Sequence, residues 1–162
     1  LLRAYGVQRV LGTDRNPQAV ARLIASGGEG VTLESLMQRA DIVIATTGVK
    51  GLIRPQWVRK GQVILALSNP DPEIEPLVAH EQGAAFAADG KGINNLLAFP
   101  GLFKGALEAR ARRFSDAMLM AAADAIAALA RGDELVPDPL DKALHEQVAA
   151  AVRAAAEPTA PA

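Results

Sequence analysis

Continuous apolar runs divide the first ninety residues of the chain into predicted strands. Residues 7–13, 41–46 and 62–67 are rich in β-branched or other apolar side chains, and a smaller run covers residues 84–88. Runs without polar alternation are typical of parallel strands whose two faces are both covered. The sequence therefore predicts a parallel sheet in this part of the chain.

Helical patterns occupy the segments between these strands and most of the chain after residue 94. Asn16, Thr32 and Ser115 are N-cap signals, because a side-chain oxygen at that position accepts a hydrogen bond from the first helical turn. Gly132 is expected to end the helix that Ser115 begins. We expect helical segments at residues 17–26, 33–39, 55–59, 75–82, 100–111, 115–130 and 140–156.

Strands that alternate with helices predict an α/β fold, here a Rossmann-like, doubly wound and mostly parallel sheet followed by C-terminal helices. Leu1–Gly6 has the pattern of the last turns of a helix. We therefore expect the first strand and glycine-rich turn of such a domain to be missing. The predicted domain covers residues 1–156, and residues 157–162 are expected to be a disordered tail or linker.

Composition and charge exclude several classes of protein. With 162 residues, 50% hydrophobic and 22% charged, the chain can bury a core and is not intrinsically disordered. A net charge of -1 argues against a nucleic-acid partner, and no apolar run approaches the ~20 residues of a membrane-spanning helix. The absence of cysteine excludes disulfides, thiolate zinc sites and a cysteine nucleophile, and suits a reducing compartment.

Asp14 closes the first predicted strand, and ligands of such sheets bind at the carboxyl ends of the strands. An acidic side chain at this position of a dinucleotide-binding domain accepts hydrogen bonds from the adenosine ribose hydroxyls. Its charge would repel a 2′-phosphate and so favours NAD over NADP, although Arg15 could offset that repulsion. An Asx turn between strand and helix is an equally good interpretation of Asp14.

Small and polar residues follow the next two predicted strands. Thr47 and Gly48 are candidate cofactor contacts, because small side chains let a flat ligand approach the backbone, but a plain turn has the same pattern. Pro70 keeps Asn69 out of helical backbone, so its amide is expected to project from the strand end. That amide offers a donor and an acceptor to a carboxamide, ribose or carboxylate, although an ordinary Asn-Pro turn is the alternative.

Acidic residues follow Asn69 at alternate positions. Asp71, Glu73 and Glu75 would suit a metal ion, but the flanking prolines favour a solvated acidic loop before a helix N-terminus.

Two adjacent amides, Asn94 and Asn95, open an apolar run that stops at Pro100-Gly101. Buried amides need hydrogen-bond partners, which a ligand or a polar network between loop and helix would supply. This run, NNLLAFPGLFKGAL at residues 94–107, is more specific than a bare Rossmann pattern. Together with QVILALSNPDPEIEP at residues 62–76 and LVPDPLD at residues 135–141, it resembles the C-terminal part of the bacterial malic enzyme family over nearly the whole chain.

The resemblance implies an NAD- or NADP-dependent enzyme that oxidatively decarboxylates malate to pyruvate and CO₂ with Mg²⁺ or Mn²⁺. By resemblance, Asp14 would hold the adenosine ribose and Asn94 would lie beside the nicotinamide ribose. Asn69 and Asn95 would touch malate or the nicotinamide end of the cofactor. NAD is the expected cofactor because of Asp14, and a cytoplasmic homo-oligomer is expected.

The same resemblance places the family's Tyr–Lys acid–base pair, acidic metal ligands and first glycine-rich turn upstream of Leu1. We therefore expect no catalytic residue and no metal ligand in this chain, and no activity from the chain alone. Two other functions stay open: a non-catalytic nucleotide-sensing Rossmann module, and the cofactor domain of another two-domain dehydrogenase. An upstream Tyr, Lys and acidic cluster would exclude the first, and the Asn-Asn-Phe-Pro-Gly run is not needed by the second.

Overall fold

The computed structural model of the chain describes residues 1–93, 95–132 and 135–156. The chain divides into two compact units. Residues 7–94 form one, here called the sheet unit, and residues 1–6 with 95–162 form the other, here called the helical unit.

Within the described part of the sheet unit there are five short strands and three helices. The strands are β1 (Leu11–Gly12), β2 (Glu29–Gly30), β3 (Ile42–Ala45), β4 (Val63–Ala66) and β5 (Phe86–Asp89). The helices are α1 (Pro17–Ala25), α2 (Leu33–Arg39) and α3 (Pro76–Glu81), with a 3₁₀ turn at Pro55–Trp57. The first strand is much shorter than the predicted run of residues 7–13, and the predicted turn at residues 55–59 is shorter as well.

All observed strand pairs are parallel, which confirms the predicted α/β fold. β1 pairs with β2, and β3, β4 and β5 form a three-stranded sheet in that order. The register places Ile42 opposite Val63 and Val63 opposite Phe86. Because parallel strands share their direction, the loops that follow β3, β4 and β5 leave from one edge of the sheet.

Glycines allow α1 to lie close against β1 and β2. A Cβ on Gly12 or Gly28 would come within 2.4 Å of the Leu23 side chain, and one on Gly30 within 2.6 Å of Val20. The predicted N-caps are present: Asn16 accepts from the Gln18 N–H, and Thr32 from the Ser35 N–H. β2 was not predicted, because Glu29–Gly30 lacks the apolar side chains that identify a strand.

The core of the sheet unit lies on one face of β3. Val43 and Ala45 are buried there with Met37 and Ile64. The other face of β3 is uncovered, since Ile42 is 62% exposed and Ile44 is 50% exposed. The expectation that both faces of this strand are covered is wrong for the structure described.

Three helices and a 3₁₀ turn form most of the helical unit: Asn95–Leu97, α4 (Phe99–Glu108), α5 (Asp116–Leu129) and α6 (Lys142–Ala155). Close packing of α4 on α6 requires glycine. A Cβ on Gly101 would lie 2.6 Å from Val148, and one on Gly105 would lie 2.5 Å from the Ala149 carbonyl oxygen. These helices confirm the predicted C-terminal helices, with ends shifted by one to three residues. Ser115 is the predicted N-cap of α5, whereas the C-cap is Ala130 and not Gly132.

The first six residues belong to the helical unit as turns. The Tyr5 N–H donates to the Leu1 carbonyl, and Gly6 has a positive φ of 89°, as expected for a helix end. The Tyr5 hydroxyl donates to Asp124 on α5 at 2.5 Å.

Candidate functional site

The carboxyl edge of the β3–β4–β5 sheet gathers three of the predicted site residues. Thr47 and Gly48 follow β3, and Asn69 follows β4 after two further residues. All three are exposed at this edge. As expected for residues that follow parallel strands, the sheet brings Asn69 to the same edge as Thr47 and Gly48, which are more than twenty positions away in the chain.

A buried carboxylate lies beneath these loops and ties them together. Glu73 Oε1 accepts from the Thr47 N–H at 2.5 Å, from the Thr47 hydroxyl at 2.8 Å and from the Ser68 hydroxyl at 2.6 Å. The Ser68 hydroxyl in turn accepts from the Gly48 N–H at 2.8 Å. Glu73 is 0% exposed, so the expectation of a solvated acidic loop is wrong for this residue.

Glu73 is charged despite its burial. Burial raises the pKa of its carboxyl group, but the hydrogen bonds from Ser68 and Thr47 outweigh that effect and hold the pKa below its ordinary value. The site therefore has a fixed negative charge under its loops.

The loop after β3 has turned its amide groups inward. The N–H groups of Thr47 and Gly48 are bound as described, and that of Val49 donates to the Thr47 hydroxyl at 3.2 Å. A ligand at this loop cannot be held through these three N–H groups, which are the groups that usually cradle a phosphate. The loop instead suits a part of a ligand that is a hydrogen-bond donor, such as a carboxamide or a ribose hydroxyl.

The Asn69 side chain is oriented by the next loop. Its Nδ2 donates to the Gly90 carbonyl oxygen at 3.0 Å, which fixes the amide and leaves Oδ1 and one N–H for a ligand. Gly90 is needed for this approach, because a Cβ there would lie 2.4 Å from the Leu67 carbonyl oxygen and 2.8 Å from Asn69 Nδ2. The Asn69–Pro70 peptide bond is cis.

Asp14 lies two residues beyond β1 and is exposed. Its Oδ1 accepts from the Asn16 N–H at 2.7 Å, which is the hydrogen bond of an Asx turn. The second carboxylate oxygen is not used in that turn. Both interpretations of Asp14 are therefore compatible with the geometry, and its role toward a ribose stays a prediction.

A groove of about 550 Å³ separates β1 from β3 within the sheet unit. Leu11 and Gly12 line one side, Val43 and Ile44 line the other, and Asp14 lies at its border. In the described residues β1 pairs only with β2, and β3 only with β4. The groove is thus bordered by two strands that each have an unpaired edge.

Of the predicted asparagine pair, only Asn95 lies among the described residues, and it belongs to the helical unit. Asn95 begins the 3₁₀ turn of the helical unit, is exposed, and accepts from the Ala98 N–H through its backbone oxygen at 3.2 Å. Asn94 and the predicted tail at residues 157–162 lie outside the described residues.

Sequence reasoning missed Glu73 as a site residue. The available signal was its place between Pro72 and Ile74, a strongly apolar and rigid setting in which a carboxylate is not well solvated. Within residues 1–93, 95–132 and 135–156, no group of three or more His, Asp or Glu side chains could hold a metal ion. In the same residues no helix is both long and apolar enough to cross a bilayer.

Comparison with known proteins gives one consistent family. Residues 87–157 match the family described as "Malic enzyme, NAD binding domain". The chain is 56% identical over 157 residues to NAD-dependent malic enzyme 1 of Bacillus subtilis strain 168, an alignment that covers 96% of this chain and 36% of the relative.

Solved structures agree with the sequence comparison. The NAD-dependent malic enzyme from Thermotoga maritima superposes with a TM-score of 0.69 at 36% identity, covering 76% of this chain and 35% of that one. The malic enzyme from Pyrococcus horikoshii gives a TM-score of 0.71 at 26% identity, covering 94% of this chain and 49% of that one. The chain therefore spans between a third and a half of the length of these proteins.

Proposed function

The chain belongs to the malic enzyme family as the nicotinamide-cofactor-binding part of such an enzyme, and we propose that the full-length enzyme oxidatively decarboxylates malate to pyruvate and CO₂. The observation that carries this proposal is the polar carboxyl edge of the β3–β4–β5 sheet, where Asn69 is held with a free acceptor and a free donor. A two-headed amide of this kind suits a carboxamide or a carboxylate.

The residues of this chain would bind and orient the reactants. The second oxygen of Asp14 would accept from the adenosine ribose hydroxyls, and the loop of Thr47 and Gly48 would receive donors from the nicotinamide half. Asn69 and Asn95 would hold malate or the nicotinamide end. When bound, the nicotinamide ring supplies a hydride acceptor, and the task of these residues is to hold the substrate carbon at reacting distance.

Metal ligands and the acid–base pair are proposed to lie upstream of Leu1. Among the described residues, no group of three or more His, Asp or Glu side chains could hold a metal ion, and we propose that the Mg²⁺ or Mn²⁺ ligands come from the upstream part of the enzyme. We propose that the chain by itself does not form NAD(P)H from malate. The groove between β1 and β3 supports the proposed strand and glycine-rich turn that complete this sheet.

Cofactor preference, assembly and location also belong to this proposal. The negative charge of Asp14 beyond β1 supports NAD over NADP. A cytoplasmic homo-oligomer is proposed from the resemblance to the family.

Asn95→Ala in the full-length enzyme tests the proposed substrate contact. Loss of a donor to a charged oxygen should lower kcat/KM for malate by about one to two decades. NADH affinity measured without malate should change little if the Asn95 amide contacts malate, and should fall if it contacts the nicotinamide end. Steady-state kinetics, NADH fluorescence titration and thermal unfolding of one variant give the three readouts.

Asn16→Ala is the matched control, since it removes the same amide from the N-cap of α1. It should cost about 1 kcal/mol of stability and leave malate kinetics unchanged. If Asn95→Ala lowers the melting temperature but leaves malate kinetics intact, Asn95 is a structural residue. A full-length enzyme that forms no NAD(P)H from malate would refute the proposed function itself.

A further inference from the structure

Glu73 is a buried charge that the proposed contacts with cofactor and malate do not use. An ionised side chain removed from water is unfavourable unless hydrogen bonds compensate it. Its bonds go to Thr47 and Ser68, which stand at the ends of two different strands of the sheet. A carboxylate in this place has consequences for both loops at once.

The backbone around Glu73 is anchored without help from its side chain. The Gly51 N–H donates to the Pro72 carbonyl oxygen at 3.2 Å, and the Ile53 N–H donates to the Glu73 carbonyl oxygen at 3.0 Å. An ion pair between Lys50 and Asp71, 2.8 Å long, joins the same two segments. The carboxylate is therefore not needed to hold its own segment in place, and its hydrogen bonds act on the loops above it.

The hydroxyl of Ser68 transmits the effect of Glu73 to a third group. Because this hydroxyl donates its proton to Glu73, its lone pairs are directed to other donors, and the Gly48 N–H uses one of them. The next residue along the chain is Asn69. Glu73 thus fixes the orientation of the Thr47 and Gly48 N–H groups in the loop after β3. Through Ser68 it also fixes the start of the segment that carries Asn69.

We infer that Glu73 is a positioning residue for the nicotinamide half of the cofactor, acting through Thr47 and Ser68. The inference rests on the proposed function for the identity of the ligand. Glu73 itself touches no ligand in this assignment. Its carboxylate keeps the Thr47 and Gly48 N–H groups of the loop after β3 in hydrogen bonds within the protein. That loop therefore offers hydrogen-bond acceptors, and not these N–H donors, to the cofactor.

The test uses the full-length enzyme and measures NADH affinity by fluorescence titration in the absence of malate. Glu73→Gln keeps the side-chain volume but removes the charge, and should raise the NADH dissociation constant about 5- to 20-fold. Ser68→Ala removes the transmitting hydroxyl and should weaken NADH binding in the same direction. The double variant should bind NADH no more than about twofold worse than the weaker-binding single variant, because both changes break one network.

Glu75→Gln is the matched control, because it makes the same chemical change two residues away, at the exposed N-cap position of α3, where the side chain makes no capping hydrogen bond. The NADH dissociation constant of this variant should stay within about twofold of the wild-type value. Kinetics should repeat the pattern, with a higher KM for NAD in Glu73→Gln and a smaller change in kcat.

Several outcomes would overturn the inference. Glu73 is merely structural if Glu73→Gln lowers the melting temperature while NADH affinity stays at the wild-type value. If the increase in the NADH dissociation constant of the double variant equals the product of the increases in the two single variants, Glu73 does not act through Ser68. If Glu73→Gln does not fold, an unchanged NADH affinity in Ser68→Ala overturns the inference equally well.

The result for the proposed function is separate. A wild-type enzyme that forms no NAD(P)H from malate, but whose NADH affinity falls in Glu73→Gln, would refute the proposed function and support the positioning role.

Discussion

The two ends of the β3–β4–β5 sheet are each tied together by a fully buried polar side chain, with opposite chemistry. At the amino end, Gln62 donates through Nε2 to the carbonyl oxygens of Met37 and Ala40, at 2.9 and 2.7 Å. At the carboxyl end, Glu73 accepts from the N–H and hydroxyl groups of Thr47 and the hydroxyl of Ser68. The amino end thus uses the N–H donors of Gln62 to bind backbone carbonyls, and the carboxyl end uses the carboxylate of Glu73 to accept from N–H and hydroxyl groups.

The difference follows from what each end must bind. The amino end receives the C-terminus of α2, whose last carbonyls need donors, and the Arg59 guanidinium adds a 2.8 Å bond to the Ala40 oxygen. That end is closed within the protein. At the carboxyl end the network lies below exposed Thr47, Gly48 and Asn69, so the same device supports a surface that faces outward. We therefore expect changes at the first end to alter stability alone, and changes at the second to alter binding.

The largest expected effect is on stability, from Gln62→Leu. The variant removes two donors to buried carbonyls and the acceptor of the Arg59 N–H, and should lose about 2–4 kcal/mol of unfolding free energy. NADH affinity of the folded enzyme should be unchanged. Urea unfolding and NADH titration test both statements, with exposed Gln38→Leu on α2 as the control. A weaker NADH affinity in Gln62→Leu would remove the proposed distinction between the two ends.

Gly90→Ala should combine a moderate loss of stability with a loss of binding. The added Cβ meets the Leu67 carbonyl oxygen and Asn69 Nδ2, so the backbone or the amide must move, at a cost of about 1–3 kcal/mol. Gly92→Ala is the matched control, since its Cβ would lie 3.9 Å from its nearest neighbours. Kinetics in the full-length enzyme should show a higher KM for malate or NAD in Gly90→Ala only. Equal kinetics in both variants would mean that the orientation of Asn69 is unimportant.

A smaller effect is expected on the choice of cofactor. Asp14→Ser in the full-length enzyme should raise kcat/KM for NADP relative to NAD about tenfold, ~1.4 kcal/mol, because no negative charge then faces the 2′-phosphate. Asp41→Ser removes the same charge next to the amino end of β3 and should leave that ratio unchanged. If the ratio does not move in Asp14→Ser, the carboxylate serves only the turn with Asn16.

The smallest effect is the pH dependence that Glu73 adds to stability. Because the folded-state pKa of Glu73 lies below its ordinary value of 4.5, its stabilising contribution is complete above that value and is lost as the pH falls through the folded-state pKa. The difference in unfolding free energy between wild type and Glu73→Gln should therefore be constant near neutral pH and shrink in acid. The difference between wild type and Gln62→Leu should show no such change, since neither side chain titrates. Urea unfolding between neutral and acidic pH measures both.

Most of the fold follows from local signals in the sequence. The N-caps Asn16, Thr32 and Ser115 and the apolar runs at β3 and β4 predict helices and strands near their observed places. Strand β2 has no such signal, because its two residues are defined by hydrogen bonds to β1 and by space for α1. The uncovered face of Ile42 and Ile44 was also missed, because a run of apolar residues does not tell which neighbours are available to cover it.

The sequence predicts those site residues whose position depends only on following a strand. It does not predict those whose role depends on the direction of a side chain. Thr47 and Asn69 follow strands, and parallel strands bring such residues to one edge. The role of Glu73 depends on a side chain that turns inward, and an alternating acidic pattern does not indicate direction. Likewise, the contact of Asn69 with Gly90 joins residues from two loops whose distance depends on the register of β4 and β5.

The groove between β1 and β3 also has a consequence for how the chain associates in solution. Each bordering strand has a row of backbone donors and acceptors without a strand partner in the described residues, and Ile42 and Ile44 expose apolar surface beside it. Open edges of this kind are templates for pairing between molecules. We therefore expect the isolated 162-residue chain to associate through strand addition at this groove when it is concentrated, and we expect a peptide strand that pairs with the open edges to reduce that association.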